Sequence, residues 1–388
     1  MNQLPKKLLS QLEVRERQNA LRSLPTASEL VDFSSNDYLG FACDPTIVQK
    51  AEALLTQNGI VQNGATGSRL LSGNHQLYYA LERTLAILHD AESALIFNSG
   101  YDANLGFFGS VPQRGDIVFY DEFIHASIRD GIQLGHAKSY KFKHNDVDDL
   151  KKKYQIERNR SISESEIYVV TESVFSMDGD SPDLIAFADF SIENNCHLVV
   201  DEAHAVGAFG TNGAGLIEQY GLAQKVFARI ITFGKAFGCH GSAILGGAAL
   251  KTYLVNFARS FIYTTGLPPH SVATIMATYE RMIHLDGNLR RKQLQDNIGH
   301  FNLQVSKLKL EAHFIPSLTP IHSCVVSGNE KVKFIAGQLQ QSGFDIRAIC
   351  SPTVPKNRER LRFCLHSYNT ADEIDAVLRL LVKFTSTR

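Results

Sequence analysis

Between residues 90 and 250, short and continuously apolar runs alternate with longer amphipathic ones. The runs at 93–97, 116–120, 167–171, 197–200, 229–233 and 242–245 lack the polar alternation of a half-exposed strand. Strands of this kind belong in a mostly parallel sheet covered by helices on both faces. The intervening segments carry helix signals, such as Ser181-Pro182-Asp183 ahead of Leu184, Ile185, Phe187 and Ala188, where Ser181 reads as an N-cap and Pro182 as the first helical residue. The pattern predicts α/β architecture with a mostly parallel sheet of the seven-stranded type.

The pattern changes after about residue 270. A helical stretch over 270–310 is followed by strands at 322–327, 345–349 and 361–365 around a helix at 331–341. A last helix starts at Thr370, where Thr370 and Glu373 have capping-box spacing, and it places Ile374, Val377, Leu378 and Leu381 on one face. The expected organisation is therefore an N-terminal arm over 1–45, a large α/β domain over 46–270 and a smaller α+β domain over 271–388, within the size that 388 residues allow.

Composition excludes several functions. With 39 Lys plus Arg against 40 Asp plus Glu the net charge is −1, so no basic surplus exists for nucleic acid or an anionic membrane. The basic clusters at 151–153 and 290–292 read as solvated helix faces. Six cysteines with no CxxC pair argue against a disulfide framework or a metal site and for a reducing compartment. No signal peptide and no apolar run of ~18 residues is present, so the chain is expected in the cytoplasm.

In an open α/β sheet, ligands bind at the carboxyl ends of the strands, and here those positions are chemically loaded. Asn98-Ser99-Gly100-Tyr101-Asp102 follows one run, Asp121, Glu122 and His125 another, Glu172 and Ser176 a third, Asp201-Glu202-Ala203-His204 a fourth and Gly234-Lys235 a fifth. A lysine at the end of a buried strand is desolvated, which lowers its pKa and frees the amine as a nucleophile; a surface lysine on a turn is the plainer alternative. Asp201 and His204 change that balance, because they supply the acid a pyridinium nitrogen needs and an imidazole within reach of a phenolic oxygen. DEAH at 201–204 also occurs in helicases, but the GxxxxGK[ST] phosphate loop is missing. Ser99-Gly100-Tyr101 at a helix start suits a phosphate, and His125 suits either a ring-stacking position or a helix cap.

Six strings occur in order: FNSGYDAN at 97–104, DEFIHAS at 121–127, ESVFSMDGD at 172–180, DEAHAVGAFG at 201–210, TFGKAFG at 232–238 and SPTVP at 351–355. With the likeness running from Phe33 to Arg362, they resemble the α-oxoamine synthases, a family of fold-type I pyridoxal-phosphate enzymes, and most of all its biotin-pathway branch. The resemblance implies that Lys235 binds the cofactor covalently, Asp201 pairs with its ring nitrogen, His204 contacts its ring oxygen and His125 stacks on it. It further implies Ser176 beside the ring, and Ser99, Gly100, Tyr101 and Thr232 around the phosphate. The resemblance also implies that Thr264 and Thr265 reach the phosphate of a second copy, so that a homodimer would be required, that Asn36 and Arg362 hold the amino-acid carboxylate, and that Arg22 and Thr353 lie near the acyl substrate.

The implied reaction joins L-alanine to a pimeloyl thioester, carried by coenzyme A or a carrier protein, with loss of CO2. Cys350 stands where many biotin-pathway members carry arginine, and Arg347 precedes it by three residues. Glycine with an acetyl thioester, a long-chain acyl condensation and a non-catalytic partner subunit are the alternatives.

Overall fold

A computed structural model describes residues 4–22, 24, 29–160 and 165–386. Contacts group the chain into two units, one of residues 36–176 and 181–293, the other of residues 1–35, 177–180 and 294–388.

The larger unit contains, among the described residues, strands β2 (Ser93–Phe97), β3 (Ile117–Asp121), β4 (Lys138–Phe142), β5 (Ile167–Glu172), β6 (His197–Asp201), β7 (Ala228–Thr232) and β8 (Ser242–Gly246) in the spatial order β2-β8-β7-β6-β5-β3-β4. The pairs among β7, β6, β5, β3 and β4 are parallel, and β8 runs antiparallel to both β7 and β2. The carboxyl ends of all strands but β8 therefore lie along one edge. Every residue of β5 is buried, as a sheet covered on both faces demands. Leu95, Phe107, Ile128, Val170, Val199 and Ile230 share one apolar core.

The sequence expectation overlooks β4. Its mostly exposed residues and two lysines mark an edge strand, whose polar character gives no buried-run signal. The helix after β5 is capped by Asp183, which accepts from the Ala186 N–H at 3.0 Å, and not by Ser181. Arg290 and Arg291 do not form a solvated face: Arg290 donates to the Leu39 and Gly40 carbonyls and pairs with Asp44, and buried Arg291 donates to the Met282 carbonyl.

The expected helix over 270–310 is two helices, Pro269–Ile283 and Leu285–Lys307, broken at His284. The first buries Val272, Ala273, Ile275 and Met282 within the larger unit, so residues 271–293 group there rather than with the smaller domain expected from 271 onward.

In the smaller unit β9 (Ile321–Val325), β11 (Arg347–Ile349) and β12 (Arg360–Cys364) form an antiparallel sheet in the order β11-β12-β9, and β1 (Val31–Asp32) pairs in parallel with β10 (Phe344–Asp345). Helices Asn329–Gln341 and Ala371–Ser386 bury Val332, Ile335, Leu339, Ile374, Val377, Leu378 and Leu381. Thr370 and Glu373 close a reciprocal capping box, with bonds of 2.8 and 3.2 Å.

Candidate active site

The site is built from strand termini. β6 ends in Asp201, which is 6% exposed. Its Oδ1 accepts the Ala203 N–H at 2.9 Å and its Oδ2 accepts the Asn104 side-chain amide at 3.1 Å. One donor on each oxygen fixes the carboxylate without exhausting its lone pairs. Beside it, paired in register, is Glu172 at the end of β5. Burial first, then the charge of Asp201, pushes the Glu172 carboxyl well above the usual range, against the pull of Lys235 and the His125 N–H.

Lys235 follows β7 through Phe233 and Gly234 and is half-buried. Its charge reaches both Glu172 and His125. His125 caps helix Ala126–Leu134, and its Nδ1 accepts from the Ser127 N–H at 3.2 Å, while its own N–H donates to Glu172 Oε1 at 2.5 Å. Desolvation, and then the nearby lysine, hold the imidazole below its ordinary pKa, although Asp201 and Asp130 pull the other way. His125 is thus a helix cap that also feels the charges of Lys235, Asp201 and Asp130. His204 is buried, with Nδ1 at 2.7 Å from the Tyr38 hydroxyl, which also donates to Asn36 Oδ1 at 3.2 Å.

At the end of β2, Ser99 caps helix Gly100–Phe108 by accepting the Asp102 N–H at 3.1 Å. The N–H groups of Gly100 and Tyr101 have no acceptor among the described residues. A Cβ placed on Gly100 meets Thr232 Cβ and Oγ1 at 3.8 Å. Packing alone therefore does not require glycine, and the two amides without an acceptor stand at the start of a helix beside the hydroxyl-bearing Thr232. That cradle fits a phosphate, and the spare lone pairs of Asp201 fit a protonated ring nitrogen, so the residues present suit pyridoxal phosphate. Asn98 fastens the 264–265 segment to this end of the sheet, donating to Thr264 Oγ1 at 3.1 Å and to the Thr265 carbonyl at 2.6 Å. The Tyr101 side chain turns aside, its hydroxyl donating to Asp130. Ser176 is half-buried in the loop after β5.

The remaining expected residues belong to the smaller unit. Arg362 is buried at the centre of β12, opposite Ser323 and Arg347. Arg22 donates to Thr353 Oγ1 at 3.2 Å, and both line a cavity of about 270 Å³ with Arg15, Lys333 and Cys350. Arg347 pairs with Asp345 instead and is not among the lining residues. Sequence reasoning did not single out Tyr38, Asn104 or Ser127, although Asn104 and Ser127 lie inside the quoted strings and Tyr38 two residues after Asn36; only tertiary contact reveals what each one touches.

The family model described as aminotransferase class I and II matches residues 28–381. An 8-amino-7-oxononanoate synthase of Emericella nidulans is 39% identical over 378 residues, spanning 93% of this chain and 90% of its own length. A crystal structure of 8-amino-7-oxononanoate synthase from Francisella tularensis superposes with a TM-score of 0.77 at 29% identity, covering 92% of this chain and 98% of that one. A serine palmitoyltransferase from S. paucimobilis, with a bound PLP–myriocin aldimine, superposes with a TM-score of 0.86 at 25% identity, covering 98% of this chain and 96% of that one.

Proposed function

Because the chain belongs to the pyridoxal-phosphate-dependent α-oxoamine synthases, within the class I and II aminotransferases, we propose that it condenses L-alanine with a pimeloyl thioester to give 8-amino-7-oxononanoate, CO2 and a free thiol. The observation that carries this reading is the grouping of Lys235 with His125, Glu172 and Asp201 at the strand ends, joined to the length over which the 8-amino-7-oxononanoate synthase of Emericella nidulans is similar.

In this proposal the Lys235 amine would hold the cofactor covalently and would take the α-proton of the amino acid. The bound cofactor supplies an electron sink for the charge left on that carbon. Asp201 would hold the ring nitrogen in its protonated form, and His204 and His125 would help hold the ring. The carbon nucleophile attacks the thioester carbonyl and the thiolate leaves. The amino acid's own carboxylate then departs as CO2, and a proton returned to the α-carbon completes the balance. Ser99, Gly100, Tyr101 and Thr232 hold the phosphate and Ser176 adjoins the ring. Thr264 and Thr265 complete the phosphate end of the site in a second copy, which makes a homodimer part of the proposal. Substrate holding by Asn36, Arg362, Arg22 and Thr353 is likewise part of it.

The higher TM-score of the serine palmitoyltransferase favours one rival, a long-chain acyl condensation. Thiol release is measured with L-alanine plus pimeloyl-CoA, with L-serine plus palmitoyl-CoA and with glycine plus acetyl-CoA. The first pair is expected to give the highest kcat/KM, and a higher value for either of the others overturns the substrate assignment.

A further inference from the structure

A chain of hydrogen bonds joins Asp201 to His125, and its direction is fixed at one end by a carboxylate that only accepts and at the other by a backbone N–H that only donates. Asp201 Oδ2, as a carboxylate oxygen, can only accept, so the group of Asn104 that faces it at 3.1 Å is the amide NH2. The second hydrogen of that NH2 goes to Ser127 Oγ at 3.0 Å. Ser127 Oγ, after accepting from Asn104, keeps its hydrogen and a second lone pair. Because the Ser127 backbone N–H can only donate and is aimed at His125 Nδ1 at 3.2 Å, that nitrogen accepts, and the hydroxyl 2.7 Å from it donates to it as well. Two donors converge on Nδ1, so that nitrogen carries no proton and the hydrogen of a neutral ring sits on Nε2. Asn104 is 2% exposed and Ser127 0%, so water does not compete for these bonds.

We infer that Asn104 and Ser127 are positioning residues that lock His125 as a neutral imidazole, presenting an Nε2–H donor rather than a cation to the cleft. The device couples two residues that the proposed function uses separately, and its value to catalysis rests on that function. A cation beside Lys235 would oppose the lysine's charge and compete with it for Asp201; a neutral donor does neither. The charged and titratable groups that act on the ring are Lys235, Asp201 and Asp130, with Glu172 accepting from its backbone. Lys235 and burial favour the neutral form, as does the pair of donors on Nδ1.

The test is nitrogen-15 NMR of histidine-labelled holoenzyme, with the His125 signals identified by their loss in His125→Gln. The expected result is a bare Nδ1 and a protonated Nε2 at neutral pH. In Ser127→Ala one donor to the lone pair is gone, so protonation becomes easier. The titration midpoint should rise by about one pH unit, a roughly tenfold gain in proton affinity, and the acid limb of kcat/KM should rise with it. Ser127→Thr, which keeps the hydroxyl, should restore the midpoint; if Ser127→Ala does not fold, the near-isosteric Ser127→Cys takes its place. A proton on Nδ1 in the unmodified protein overturns the inference, as does an unmoved midpoint accompanied by lower stability. The NMR reading does not depend on which substrates the enzyme takes, so it can fail while the proposed reaction stands, and the reverse.

Discussion

Asp201 and Glu202 are adjacent in sequence and opposite in bonding. Glu202 is fully buried, its Oε1 accepting the Ile217 N–H at 3.0 Å and its Oε2 taking Arg229 Nε at 2.7 Å and Nη2 at 2.5 Å. Arg229 spends its other donors on the His89 and Ala214 carbonyls, both at 2.7 Å. His89 in turn bonds Ala214 and the Tyr279 hydroxyl. Gly215 closes the loop around this cluster with φ +102°, and a Cβ there would strike Glu202 Oε1 at 2.7 Å. On the Asp201 side the account does not close. Asp201 keeps spare lone pairs, and among the described residues neither Asn104 Oδ1 nor the N–H groups of Gly100 and Tyr101 have a partner. Buried polar groups that satisfy one another hold a fold together; those left with capacity are where a ligand can bind.

The sharpest way to break this comparison is to alter one residue on each side. Lys235→Ala should lower kcat by ~10³-fold or more, since it removes the group proposed as both nucleophile and proton carrier, with little change in melting temperature. Arg229→Met should do the reverse. It strands the Glu202 charge in a dry interior and should cost ~3–5 kcal/mol in denaturant unfolding, with kcat per folded molecule largely kept. Adding Glu202→Leu to that variant should recover much of the loss. If Arg229→Met abolished turnover without loss of stability, the division between the two faces would be wrong.

The open side was the more legible of the two in the sequence. Asp201, His204, His125 and Lys235 stand at strand ends, where apolar runs stop and polar residues begin, and topology then brings those ends to one edge. The closed side gave no such signal. Arg229 reads as the first residue of a buried strand, and its partners Glu202, His89 and Ala214 are scattered along the chain. The same limit hid Tyr38 and Asn104, whose partners lie 166 and 97 residues away. Local pattern also failed where the element was polar, as in edge strand β4, and where one helical period continued across a break, as at His284.

Buried histidines give the closed side a pH dependence of its own and the smaller unit a matching one. His89 is fully buried and its pKa is lowered to about 3, by desolvation first and then by Arg229. The unfolded chain takes up this proton as pH falls through about 6.5, while the folded chain resists until about 3. The stability it supports is therefore complete above pH 6.5 and falls by about 1.4 kcal/mol per pH unit across the window below. His322, buried in the smaller unit with its pKa also lowered to about 3, adds the same slope. Unfolding free energies at pH 6 and pH 5 should thus differ less in His322→Phe than in the unmodified protein, by about 1.4 kcal/mol. Equal slopes would mean that the imidazole is already charged in the folded chain.

The smallest effect gives the finest discrimination, because it removes the same atom on both sides. Tyr279→Phe takes the hydroxyl from His89 Nε2, 2.9 Å away, and Tyr38→Phe takes it from His204 Nδ1, 2.7 Å away. On the closed side the loss leaves a buried nitrogen unpaired, so Tyr279→Phe should cost ~1–3 kcal/mol of stability and leave kcat/KM unchanged. On the open side His204 loses the group that orients it, so Tyr38→Phe should cost only ~1 kcal/mol while kcat/KM falls roughly tenfold, the equivalent of ~1.4 kcal/mol in transition-state stabilisation. If both variants lost stability alike and both kept their turnover, His204 would belong with the closed cluster, and the cleft would be smaller than its strand ends suggest.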